Sequence, residues 1–243
     1  HDIVSEVTDK VENIYLPHAV DGQFFKPLDK EDIQKIKKQQ GLEDKFVFFW
    51  NNRNARRKLS GSLLYWFNKF ANKVGKDKVV LLMHTDPNDP YGQPLEHLMQ
   101  HFGLMDGQVR LSREKVGPDY LSMMYNIADC TINISDAEGF GLATLESLSC
   151  GTPIIATMTG GLQEQVTDGE NWFGIGIEPS SKALIGSQQV PYIYEDRVSE
   201  EDFLNALTTM YEMSPEERQS LGDAGTEHVR KNYSYEKFQK SWI

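Results

Sequence analysis

The sequence predicts an α/β fold built on a doubly wound parallel sheet. Short continuous apolar runs recur along the chain, and stretches with helical spacing separate them. An unbroken apolar run marks a strand buried on both faces, and strands alternating with helices of about ten to fifteen residues mark a parallel sheet covered on both sides. A third observation is positional: the glycine-rich stretch "SDAEGFG" stands where one apolar run gives way to a helix.

The elements follow in order. Residues 1–28 read as a lead-in segment, extended and punctuated by Pro and Gly in "NIYLPHAVDGQFFKPL". Residues 29–198 read as the sheet domain. In it "FVFFW" (46–50) precedes the helical "SGSLLYWFNKFANKV", and "VVLLMHT" (79–85) precedes "PLEHLMQHFG". Next, "VRL" (109–111) precedes "PDYLSMMYNIAD", "CTINIS" (130–135) precedes "LATLESLSC", and "PIIATM" (153–158) precedes "LQEQVTDG". "EPSSKALIGSQQVPYIYEDR" shows no clear period and reads as a surface excursion. Residues 199–243 read as helices that pack on the domain or bridge to another one. Ser199 with Asp202 caps the first, and "SPEE" opens a second that the glycines of "GDAG" are expected to end.

Bulk composition limits the function classes. With 39% hydrophobic and 25% charged residues the chain has the make-up of a soluble globular protein. No apolar run approaches the ~18 to 20 residues that span a bilayer. The chain begins with His1 and its first residues lack the apolar core of a signal peptide, so it reads as a fragment. A net charge of −11 argues against a nucleic-acid partner. Against that background "NNRNARRK" concentrates Arg53, Arg56, Arg57 and Lys58, a patch able to hold an anion locally. Cys130 and Cys150 read as buried free thiols, which fits a reducing compartment. His97 and His101 lie four apart but lack the glutamate of a zinc-protease HExxH, and "DPNDP" (86–90) reads as a turn. No metal site and no cofactor are expected.

The chemistry centres on "DAEGFGLATLES" (136–147). In open parallel sheets ligands bind beyond the carboxyl ends of the strands. A helix start carries about +0.5 charge and unpaired N–H groups, and glycines let backbone approach an anion closely. The turn therefore suits a phosphate or polar sugar. A dinucleotide fingerprint fits poorly, because Thr144 stands where the third small residue belongs and the turn does not follow the first strand. Glu138 on the turn and Glu146 in the helix are too far apart for a tight acid/base pair, yet both could reach one elongated ligand such as a nucleotide-sugar. The spacing equally allows one helix-start acid and one solvated acid.

"EGFGLATLE" resembles the E-x7-E motif of retaining glycosyltransferases of the GT-B fold, family 4. The lead-in is similar to that family's "IPNGVDxxxFxP", "NNRNARRK" to its Arg-x4-Lys diphosphate motif with Asn52 where glycine is usual, and "MMYNIADCTINIS" to its "YxxADvxvxPS" without the proline. "CGTPIIATMTGGLQEQVTDGENWFG" resembles "CGxPVIAtxxGGxxEiVxdGxxG". The resemblance implies the Rossmann-like C-terminal half of such an enzyme, metal-independent, acting on a nucleotide-diphospho-sugar with retention. Glu138 would meet the sugar, and Gly139, Phe140, Gly141 and Leu142 would hold sugar and phosphate. Glu146 would hold the ribose, Arg53 and Lys58 the leaving diphosphate. Gly160 and Gly161 would form a second loop over the crevice, with Glu164 either capping its helix or touching ligand. Arg56 and Arg57 are expected to be solvated. The acceptor (carbohydrate, lipid or protein) would be bound by a missing N-terminal domain. The expected location is cytoplasmic, with any membrane attachment made through that domain. The competing expectation is a non-catalytic nucleotide-sugar-binding module that works with a separate acceptor subunit.

Overall fold

In the computed structural model residues 14–242 are described. Residues 1–13 and Ile243, the first half of the lead-in among them, lie outside the described residues. The elements run α1 (Lys30–Gln39), β1 (Phe46–Asn51), α2 (Ser60–Val74), β2 (Val79–His84), α3 (Leu95–His101), β3 (Val109–Ser112), α4 (Pro118–Ile127) and β4 (Cys130–Asn133). They continue as α5 (Leu142–Ser149), β5 (Ile154–Thr157), α6 (Gln163–Val166), β6 (Gly174–Ile177), β7 (Ser181–Leu184), β8 (Tyr194–Arg197), α7 (Glu200–Glu212), α8 (Pro215–Asn232) and α9 (Tyr235–Lys240).

β1 to β6 form one parallel sheet in the order β3-β2-β1-β4-β5-β6. The apolar runs are continuous because successive side chains enter two separate cores. Phe46, Phe48 and Trp50 of β1, with Val79, Leu81 and Met83 of β2, face one core together with Phe67 and Phe70 of α2 and Phe203 of α7. Val47 and Phe49, with Val80 and Leu82, face the other, against Tyr125 of α4, Leu145 and Leu148 of α5 and Val229 of α8. Trp50, Phe48 and Phe49 are fully buried, each contributing about 1.5–3 kcal/mol of burial. Cys130 and Cys150 are buried and free, and burial pushes the Cys150 thiol up to about 12.

Three elements depart from expectation. β6, the glycine-rich "GIGI", completes the sheet at its edge. Much of the surface excursion is an antiparallel hairpin, β7 paired with β8. α8 does not stop at its glycines but runs through Gly222 and Gly225 to Asn232. The reason is close packing: a Cβ at Gly222 would sit 2.0 Å from the Gly151 carbonyl oxygen, and one at Gly225 would sit 2.7 Å from a Leu148 methyl. The glycines let α8 lie against α5. α7 starts at Ser199, whose hydroxyl accepts from the Asp202 N–H at 3.0 Å, and α8 at a full capping box of Ser214 and Glu217. α7 in turn packs on α2 and β6.

A groove of about 720 Å³ opens at the amino ends of β4 and β5, between Lys37, Asp129, Thr152 and Arg218. The loops after β1 and β4, with the candidate site residues, lie at the opposite end. Among the described residues, no helix is long and apolar enough to cross a membrane.

Candidate functional site

The strand order reverses between β1 and β4, which is where open α/β sheets leave a crevice at their carboxyl ends. The loop after β1 carries the cations and the loop after β4 carries the glycine turn. The two are stitched together. The Asp136 N–H donates to the Arg57 carbonyl at 2.8 Å, and the Arg57 guanidinium donates to the Ala137 carbonyl. Lys58 Nζ donates to Glu138 Oε2, and Arg57 lies 3.7 Å from the other carboxylate oxygen.

Lys58 and Glu138 form a mostly buried ion pair, with side chains 8% and 10% exposed. Burial holds the Lys58 ammonium below its ordinary value, and the bond to Glu138 opposes that shift. An ammonium has three N–H donors and the glutamate occupies one. Lys58 therefore keeps donors for a second acceptor.

The turn is shaped by what presses on it. Gly141, the residue before α5, has φ +91°, and no side chain among the described residues caps the helix; the Thr144 N–H donates to the Gly141 carbonyl at 3.2 Å, and the N–H groups ahead of it remain for another acceptor. Gly160 and Gly161 lie directly on the turn: a Cβ at Gly160 would stand 1.8 Å from the Glu138 carbonyl oxygen. The second loop thus lies against the first. Gln165 of α6, fully buried, donates to the Phe140 carbonyl at 2.6 Å and accepts from the Thr144 hydroxyl. The Phe140 ring meets His18 edge-on at 5.0 Å. Gly139 is exposed with nothing within 4 Å of its Cβ position, and Leu142 is 45% exposed, so the turn's outer face is open. Glu164 accepts from the Tyr15 hydroxyl at 3.1 Å.

Glu146 lies four residues into α5, about 6 Å from its start. It is not a solvated acid. Tyr125 Oη donates to Glu146 Oε2 at 2.7 Å, and Asn51 Nδ2 donates to Tyr125 Oη at 2.7 Å. Burial pushes the Glu146 carboxyl up to about 7, with the Tyr125 bond opposing.

Arg53 shares this end of the sheet but turns toward another loop. Its Nε and Nη2 donate to Asp89 at 2.6 and 3.2 Å, its guanidinium lies 5.1 Å over the Tyr91 ring, and its side chain is 61% exposed. The cause is Asn54, fully buried, which bonds Ser60 Oγ at 2.6 Å and the Gln93 carbonyl at 2.7 Å and ties the two loops together. Of the two cations expected to hold a diphosphate, Lys58 therefore meets the glycine turn while Arg53 meets Asp89. "DPNDP" is a turn, its Asp86 and Asp89 carboxylates accepting from backbone N–H groups.

Arg56 and Arg57 are not simply solvated. Arg56 grips Glu195 of β8, a carboxylate 2% exposed, which Arg197 also meets at 3.3 Å. The Asp196 N–H donates to the Asp136 carbonyl at 2.7 Å and the Thr159 hydroxyl to Asp196 Oδ2 at 2.8 Å. The hairpin is thereby seated on the site. Sequence reasoning gave no role to Asp136, Glu195, Gln165, Tyr125 or Asn51. Two carried a signal: Tyr125 is the tyrosine of the stretch similar to "YxxADvxvxPS", and Asp136 is an acid directly after the run "CTINIS". Asp136 is 2% exposed with one carboxyl oxygen lacking a hydrogen-bond partner among the described residues, and burial followed by Glu195 pushes it up to about 6. His97 and His101 are exposed on α3, and among the described residues no cluster of three or more His, Cys, Asp or Glu side chains is arranged to hold a metal ion.

Comparison with known proteins places this geometry. Residues 31–228 match the family profile of glycosyl transferases group 1. A D-inositol 3-phosphate glycosyltransferase from Paenarthrobacter aurescens is 34% identical over 109 residues, covering 44% of this chain and 25% of that protein. Sucrose-phosphate synthase from Thermosynechococcus elongatus superposes with a TM-score of 0.76 at 23% identity, over 99% of this chain and 53% of that one. Anabaena Alr3699/HepE, solved with UDP and glucose, superposes with a TM-score of 0.70 at 18% identity, over 92% and 53%. The chain thus matches a quarter of the curated relative and about half of each solved one. With the profile covering most of its length and its sheet superposing on GT-B enzymes, the chain is a Rossmann-like member of glycosyl transferases group 1.

Proposed function

We propose that this chain is the donor half of a retaining hexosyl-type glycosyltransferase, binding a nucleotide-diphospho-sugar for transfer to an acceptor. The observation that carries the reading is the buried Lys58–Glu138 pair at the β1/β4 switch, directly beside an uncapped helix start. The solved relative with UDP and glucose supports a donor of that class. The diphosphate would lie over the Gly139–Leu142 backbone, with Lys58 stabilising the charge that grows as the sugar–phosphate bond breaks. Glu138 would orient the sugar hydroxyls and Glu146 the ribose. Arg53 would contribute its charge from the outer rim. Residues 1–28 would lead in from a second domain, 29–198 would hold the donor, and 199–243 would pack against it or bridge to that domain. The scheme uses no metal ion. Retention rests on the E-x7-E pattern, and a cytoplasmic location on the two free thiols.

The test is thermal-shift screening against UDP-, GDP- and ADP-sugars. A ligand at 100 times its Kd stabilises by about 2.7 kcal/mol, so one base class should raise the melting temperature while free sugar does not. No shift with any of the three overturns the reading. A second reading is a nucleotide-sugar-binding module without activity of its own that works with a separate acceptor subunit. Supplying the other half of the enzyme separates the two, because only the first predicts transfer.

A further inference from the structure

The chain Asn51–Tyr125–Glu146 spans β1, α4 and α5, the three elements that meet behind the glycine turn. Tyr125 is fully buried, with Phe49 edge-on at 5.0 Å and Phe25 at 6.2 Å, so its phenol cannot swing. Its hydroxyl has one proton. Because Asn51 Nδ2 donates to Oη at 2.7 Å, that proton is directed to Glu146 Oε2, also at 2.7 Å. We infer that Tyr125, backed by Asn51, is a positioning residue that locks the Glu146 carboxylate with one oxygen occupied and one edge turned to the vicinal hydroxyls of the donor's ribose. The inference rests on the donor reading above.

A carboxylate free to rotate would lose that freedom on binding, and a locked one has lost it already. The lock also acts on charge. The titratable groups that bear on Glu146 are Tyr125 from α4 and Cys150 just past the end of its own helix, while β1 offers only the neutral Asn51 amide. Burial favours the protonated acid and the Tyr125 hydroxyl favours the carboxylate. An ionised carboxylate accepts hydroxyl bonds more strongly than the neutral acid. Nucleotide affinity should therefore fall as pH drops through about 7. Without the phenol the fall should begin at higher pH.

Two measurements on the whole chain test this, with Tyr125→Phe and Asn51→Ala. Carbon-13 NMR titration of the Glu146 carboxyl, without ligand, should show an alkaline-shifted midpoint in Tyr125→Phe and a smaller shift in Asn51→Ala. Calorimetry with UDP, GDP and ADP should then show affinity for the preferred nucleotide about tenfold weaker in Tyr125→Phe near neutral pH, with its pH profile displaced the same way. Glu146→Gln should bind weakly with a flat profile. A merely structural role for Tyr125 would lower the melting temperature and move neither midpoint nor profile, and that result overturns the inference. If Tyr125→Phe fails to fold, an unshifted midpoint in Asn51→Ala overturns it alone. If the wild type binds none of the three nucleotides, the donor reading falls and the ribose assignment with it. Intact nucleotide binding with unshifted titration removes the lock and leaves the donor site standing.

Discussion

Glu138 and Glu146 stand eight residues apart on one turn and helix, and they meet opposite surroundings. Glu138 faces Lys58, with Arg57 at 3.7 Å. Glu146 faces a phenol, and burial pushes its carboxyl up to about 7. One site therefore holds an acid bonded directly to a cation and another whose charge turns over near neutral pH. The residue type is the same and the surroundings differ, a cation against Glu138 and burial beside a phenol for Glu146. The first arrangement suits a place where phosphate charge must be met by a fixed cation. The second suits neutral hydroxyls.

The largest effect should come from breaking the first arrangement. Removing one partner of a buried ion pair leaves the other uncompensated and costs about 3–5 kcal/mol, whereas replacing both is often near neutral. Lys58→Met should destabilise the chain on that scale, and Lys58→Met with Glu138→Gln should recover most of the loss. Urea unfolding of the wild type, the single and the double variant reads this directly. A single variant no less stable than the double would mean that Glu138 reaches solvent and the two environments are alike. Lys58→Met should also reduce UDP or GDP affinity by more than tenfold, because a hydrogen bond to a charged group contributes about 1.5–3 kcal/mol.

The next effect sharpens the contrast through pH. The folded-state pKa of Glu146 is raised from 4.5 to about 7. A raised carboxyl pKa stabilises the fold fully below pH 4.5, where both states are protonated, and that contribution is lost as pH rises to about 7. The shift corresponds to an amount on the order of 3 kcal/mol. Glu146→Gln should keep the fold's low-pH stability and flatten its decline across that window. Asp136, raised from 3.8 to about 6, adds a decline of its own over a lower range, so Asp136→Asn should flatten the curve at more acidic pH. Denaturation at intervals from about pH 4 to 8 checks both. A wild-type curve that Glu146→Gln leaves unchanged would place Glu146 in water and remove the asymmetry.

The parts of the molecule that sequence discloses differ in a physical way from those it hides. β1 and β2 are legible because burial on both faces demands apolar residues throughout, as "FVFFW" and "VVLLMH" show. The glycine turn is legible because its backbone chemistry is local, although what presses on it is not. β6 escapes notice because its glycines read as loop, yet Gly174 is where a Cβ would strike the Ile154 carbonyl oxygen at 2.0 Å. The β7–β8 hairpin has mostly exposed side chains, and what seats it is the Arg56–Glu195 pair, 139 residues apart in sequence. Gly222 and Gly225 read as a helix stop because their packing partners lie on another helix. In the site, the family resemblance gives Arg53 and Lys58 the same role. The difference between them comes from Asp89, 36 residues beyond Arg53.

That difference yields the smallest and most discriminating effect. Arg53 and Lys58 follow the same strand, but one is 61% exposed and bonded to Asp89 while the other is 8% exposed and bonded to Glu138. Salt screens exposed charges over about 8–10 Å at ordinary ionic strength and reaches buried pairs far less. An exposed cation that already has a carboxylate partner must give it up, or share it, before it meets phosphate. Arg53→Ala should therefore weaken UDP or GDP affinity only about two- to fivefold at low salt. That loss should vanish near about 0.5 M salt, where the Lys58→Met loss persists. Asp89→Asn should move affinity the other way, because it releases the guanidinium toward the ligand. Calorimetry of the three variants at two salt concentrations measures all of this. An Arg53→Ala loss as large as that of Lys58→Met, and equally insensitive to salt, would show that the guanidinium leaves Asp89 and closes over the diphosphate as donor binds. The two cations would then act as one clamp, and the exposed pair with Asp89 would be only the resting position of one jaw.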